Sequence, residues 1–183
     1  MRDLLEQIER GLTANVYYLS LFAALAMPDI CGAIDSADGE ATGPGYIAWY
    51  DKWVGPRFVE SAQALIPTGV NFPVEIENPL TGDACYRFRC SLLHQGTTQH
   101  PRSPFARILF IEPGTRGIEI HHTTLNDALC IDLRHFCAEV VAGVRMWLAE
   151  VEGSPQFRAN YDRFIRLYPD GLPPYFSGLP VVG

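Results

Sequence analysis

Apolar residues recur every three or four positions over residues 3–26, at Leu4, Leu5, Ile8, Leu12, Val16, Leu19, Phe22 and Ala26. That period marks one face of an α-helix, so the spacing predicts a single long amphipathic helix, increasingly buried towards its C-terminal half. Pro28 lacks a backbone donor and is predicted to end it, with a short helix following over residues 29–34. Tyr46, Trp49, Tyr50 and Trp53 share one side of a second helix over residues 46–54, and a short helix is expected over 56–65. Residues 67–79 carry Pro, Gly and Asn punctuation and read as irregular. Thr81 then stands as the N-cap of a helix bearing Ala84, Cys85, Phe88, Leu92 and Leu93, which Gly96 closes.

Beyond Gly96 the texture changes. Residues 105–111 are β-branched and aliphatic, residues 112–117 form a Pro-Gly turn, and residues 118–123 alternate Ile with Glu and His. This pattern predicts a β-hairpin, with residues 128–131 as a third strand. Asp132 is placed to cap a long helix with Leu133, Phe136, Val140, Val144, Trp147 and Val151 inward. Ser154 and Pro155 start a last helix to about residue 167, and residues 169–183 form a Pro-rich tail. The expected architecture is mainly α. It is one domain over residues 1–183, a helical bundle with a small antiparallel hairpin or three-stranded sheet inserted at about residues 104–131, before the penultimate long helix.

Composition narrows the function more than the fold. A chain of 183 residues, 48% hydrophobic and 19% charged, can bury a core of its own. Ten Phe, eight Tyr and three Trp with so little charge predict apolar surface covered by a partner, most simply a second copy in a homodimer. The net charge is −7, with Lys52 the one lysine beside thirteen arginines. A chain this acidic is not a general nucleic-acid binder, so any RNA contact must be local, through arginines in a cleft. Five cysteines without a CxxC pair read as reduced thiols and point to a reducing compartment, the cytoplasm. The apolar run over residues 16–27 has no basic lead-in and is too short for a bilayer, so it is expected as a core helix rather than a leader. Phosphate-cradling, dinucleotide and nucleophile-elbow glycine motifs are absent, and no cofactor is expected.

The stretch from Cys85 to Gly96 holds the candidate chemistry. Arg supplies a permanent cation for a phosphate, and His is the side chain that exchanges a proton near neutrality. Arg89 and His94 lie five residues apart, about 140° around the helix axis, whereas Arg87 and His94 are seven apart and nearly aligned. Spacing therefore predicts that Arg87 faces His94 more directly, and that Arg89 reaches the same phosphate by its length or from a second subunit. The competing expectation is structural: His94 caps the helix, and the arginines pair with acids such as Asp29, Asp83 or Glu112. His121 and His122 are adjacent in a predicted strand, so they should point to opposite faces and cannot both ligate one metal without help. A site from His94, His100, one of that pair and a cysteine has no supporting spacing, and no metal is expected. Tyr46, Trp49, Tyr50 and Trp53 could stack bases, but at helical spacing they are expected in the core or a dimer interface.

The string Arg89-Cys90-Ser91-Leu92-Leu93-His94-Gln95-Gly96 resembles the signature of the HEPN superfamily, small helical bundles that include many bacterial toxin and antiviral ribonucleases. The family's Arg falls on Arg89, its following polar position on Cys90 and its His on His94. Cys90 and the inserted hairpin depart from the family's usual form. The resemblance implies a homodimer whose two motif helices line one cleft. It also implies a metal-independent RNase site in active members, and a role in prokaryotic defence or a toxin–antitoxin pair with a cognate antitoxin or regulatory protein. In such a site Arg89, with Arg87 beside it, would stabilise charge on the phosphate, and His94 would serve as general base or acid. The alternative it implies is a catalytically inactive member that works by binding a protein partner.

Overall fold

The computed structural model of the chain describes residues 1–64, 78–114 and 120–183. Among these residues seven helices form a bundle: α1 (Arg2–Thr13), α2 (Tyr17–Asp35), α3 (Gly43–Trp53), α4 (Gly55–Ala64), α5 (Gly82–Gln95), α6 (Leu133–Val151) and α7 (Pro155–Tyr161). Strands β1 (Arg107–Ile111), β2 (Thr123–Leu125) and β3 (Ala128–Asp132) lie between α5 and α6. The chain is mainly helical with a small inserted sheet, as the apolar periodicity predicts.

The long N-terminal helix divides differently. Asn15 adopts φ 60°, a left-handed turn that breaks the helix between Thr13 and Tyr17. The break rotates the second half, so Val16 and Leu19 of the predicted stripe are exposed while Leu21, Ala24 and Leu25 are buried. Pro28 does not end α2 but sits buried inside it. Its ring removes one intrahelical hydrogen bond, and the Tyr46 hydroxyl donates to the Leu25 carbonyl at 3.3 Å in the turn it disturbs. By length and apolarity α2 could cross a membrane. Here it packs against α1, α3, α5, α6 and α7.

The α3 aromatics answer the base-stacking question: Tyr46, Trp49, Tyr50 and Trp53 are all buried. Trp49 meets Trp147 of α6 edge-on at 6.1 Å, and the Trp147 indole donates to Asp35 at 2.8 Å. Gly143 lets α6 close on the end of α3, since a Cβ there would lie 2.8 Å from the Trp53 carbonyl oxygen. The predicted caps are in place, with Thr81 accepting from the Ala84 amide, Asp132 from His135 and Ser154 from Phe157.

The sheet is not a sequential hairpin. β3 is its central strand, parallel to β1 from Arg107↔Ala128 to Ile111↔Asp132, and antiparallel to β2. All five β3 residues are buried, which explains the unbroken apolar run over residues 128–131 that precedes Asp132. Of the strand predicted over 118–123, residues 118–119 lie outside the described residues and β2 begins only at Thr123. The last helix ends at Tyr161, and the Pro-rich tail folds back so that its end, β5 (Val181–Val182), pairs antiparallel with β4 (Leu167–Tyr168) just before it.

Gly96 ends α5 in the left-handed region at φ 66°, and a Cβ there would meet nothing within 4 Å. Gly96→Ala should therefore cost only backbone strain, about 1 kcal/mol, read as a lower urea midpoint with an unchanged slope.

Candidate functional site

Helix α5 presents both halves of the motif, and α2 supplies a third member. One η-nitrogen of Arg89 lies 3.0 Å from His94 Nε2, and the other is ion-paired with Asp29. A guanidinium has no lone pair to offer, so His94 Nε2 must be the acceptor and its ring proton sits on Nδ1. Arg89 and Asp29 are mostly buried, with side chains 19% and 14% exposed, whereas His94 is exposed near the end of α5. Burial pushes the Asp29 carboxyl up and outweighs the opposing pull of Arg89. Asp29 reaches this position because α2 continues one turn and more past Pro28.

Arg87 does not face His94. Its guanidinium makes a two-pronged ion pair with Asp83, one turn earlier, at 2.6 and 2.8 Å. A helix aligns positions seven apart, but the nearer carboxylate at i−4 captures the side chain. So Arg89 contacts His94 and Arg87 does not, and both arginines carry acid partners of the kind the structural alternative named.

Cys90 lies 3.8 Å from the Arg89 η-nitrogen, and its thiol raises the Tyr86 hydroxyl above its usual range. A depression of about 350 Å³ opens beside it, lined by Tyr86, Arg87, Cys90, His100 and Arg102. Asp83 also lines it and neutralises Arg87, so the positive charge there comes from Arg102. Cys90 is the one cysteine that is not buried. Burial pushes the Cys85 and Cys137 thiols up to about 12. Native protein should therefore titrate a single fast thiol with DTNB, against five in denaturant.

A second polar cluster lies behind the sheet. His122 has φ 54°, which turns two consecutive imidazoles to one side, stacked 3.9 Å apart. The opposite-face expectation for His121 and His122 is thus corrected, because it assumed extended backbone at both residues. Glu139 of α6 joins them, with its Oε1 3.7 Å from His121 Nε2. Sequence reasoning passed over this residue, although a lone acid among Phe136, Cys137, Val140 and Val141 was a visible signal.

Asp29 was legible only as an ion-pair partner, since a helix ending at Pro28 would not carry it to the motif. Arg116, which with His121 repeats the Arg-to-His spacing, lies outside the described residues. Comparisons with protein-family models, curated proteins and solved structures gave no match to this chain.

Proposed function

We propose that the chain is a HEPN-like, metal-independent endoribonuclease of the prokaryotic defence or toxin–antitoxin kind, working in the cytoplasm as a homodimer. The observation that carries this is the contact between Arg89 and His94 Nε2 at 3.0 Å, which sets a permanent cation beside an imidazole lone pair at the protein surface. An RNA phosphate competes for the guanidinium and draws its donor away from His94. The freed Nε2 takes the proton of the 2′-hydroxyl as that oxygen attacks phosphorus. The phosphorus–O5′ bond breaks, leaving a 2′,3′-cyclic phosphate and a 5′-oxygen that is protonated by solvent or by a second copy's imidazole. Arg89 neutralises charge gathering on the phosphoryl oxygens, and Asp29 holds it in place. Arg102 and His100 offer hydrogen-bonding groups beside the motif for the neighbouring backbone. The apolar groove beside α5, with Tyr18, Phe22, Leu92 and Leu109 in its lining, supports the pairing of two copies.

The ion pair with Asp29 favours a second reading: a catalytically inactive protein of the same kind that binds a protein partner, Arg89 serving only to tie α5 to α2. The two separate in one experiment. Purified protein incubated with single-stranded RNA in EDTA should cleave it on the first reading. Intact RNA at high enzyme concentration would leave the second.

A further inference from the structure

We propose that His121, His122 and Glu139 form a binding site for one divalent transition-metal ion, with zinc as the natural probe, that pins the lead-in of β2 to α6. One ligand atom from each of the three lies within 4.8 Å of the others. The site is independent of the Arg89–His94 chemistry.

Three observations converge on it. First, its polar atoms are buried without hydrogen bonds: His121 Nε2, both ring nitrogens of His122 and both carboxylate oxygens of Glu139 make none, and the 3.7 Å approach of His121 Nε2 to Glu139 is too long for one. The side chains of His121 and Glu139 are 1% and 8% exposed. Burying several polar groups without hydrogen bonds at one place is costly, and a cation satisfies them together. Second, the left-handed backbone at His122 brings both imidazoles to one side of the chain. Such a conformation at a non-glycine residue persists where its surroundings enforce it, as at ligand-binding sites. Third, Phe58 of α4 stacks on His122 at 4.3 Å and on His121 at 5.6 Å, holding both rings in place.

The donor set decides the class of ion. Two imidazoles and one carboxylate match the three-ligand zinc sites and the facial sites of other first-row divalent metals, and suit magnesium and calcium poorly. Ligation has a defined local consequence. His121 Nδ1 accepts the Asp132 amide at 3.2 Å, so in the neutral ring Nε2 carries the proton. A metal takes either the Nδ1 lone pair or, after the proton moves to Nδ1, that of Nε2. Both routes end the Asp132 hydrogen bond.

The test uses the full chain, stripped with chelator and titrated with Co²⁺ and Zn²⁺. One equivalent of Co²⁺ should give visible ligand-field bands without a thiolate charge-transfer band, and Zn²⁺ should compete it away and raise Tm. His122→Gln and Glu139→Gln, each checked for folding by circular dichroism, should weaken binding by more than about 100-fold, beyond what loss of an outer partner causes. The Asp132 amide resonance should shift on loading wild type only. Folded wild type that takes up no Co²⁺, or variants that bind as well as it does, would overturn the proposal, as would a spectrum dominated by thiolate ligation.

Discussion

Replacing His94 with alanine is expected to lower RNA cleavage in EDTA by about 10²–10⁴-fold, the span a positioned acid–base group contributes. The same change should leave stability within about 0.5 kcal/mol, because His94 is exposed and the Gly96 amide closes α5 by bonding to the Leu92 carbonyl without it. That separation matters, since a fall in activity with unchanged Tm cannot be assigned to unfolding. Arg89→Lys sharpens the test. Lysine keeps the charge but not the planar fork that reaches Asp29 and His94 together, so it should lose most of the activity too. Cleavage by a folded His94→Ala protein at the wild-type rate would remove this residue from the mechanism.

Asp29→Ala should carry the largest stability cost among changes at the site. It leaves the Arg89 charge mostly buried without its carboxylate, and removing one partner of such a pair costs on the order of 3 kcal/mol. For a domain of this size that is a fall in Tm of about 6–12 °C. Asp29→Asn keeps a carbonyl oxygen against the guanidinium and should cost less. The pH dependence has a definite sign. Burial raises the folded-state carboxyl above its ordinary value, so the native state binds more protons than the unfolded chain between the two values. Wild-type stability relative to Asp29→Asn should therefore fall as pH rises through that window, starting at the ordinary carboxylate range. A thermal-melt series across mildly acidic buffers reads this directly. A rising difference would mean that the Arg89 attraction outweighs desolvation.

Much of the fold was readable because local chemistry and global packing agree there. Thr81, Asp132 and Ser154 cap the helices they precede, and Gly96 stops α5 in the left-handed turn that glycine tolerates. The misreadings share a cause: each turns on backbone or long-range pairing that a periodicity does not contain. Asn15 takes a left-handed turn inside an unbroken apolar stripe, and Pro28 stays helical because neighbouring helices hold both sides of α2. β1 skips its nearest neighbour in sequence to pair in parallel with β3. The site shows the same division. Arg89 and His94 were visible as a motif, but helical angles favoured Arg87, and only the side-chain geometry shows Asp83 holding it away. Asp29 and Glu139 come from other helices, and neither spacing nor composition places them at these positions, although Asp29 was readable as one possible acid partner for the arginines.

The claim that Asp29, Arg89 and His94 form a metal-independent ribonuclease meets its most direct test in the chemistry of the RNA ends. A labelled single strand is incubated with wild-type protein in EDTA, beside the same strand carrying 2′-O-methyl groups throughout, and the fragments are examined by mass spectrometry. The account predicts 2′,3′-cyclic phosphate and 5′-hydroxyl ends from the unmodified strand and no cleavage of the methylated one. Cleavage of both strands, fragments bearing 5′-phosphates, or no cleavage of either would contradict it.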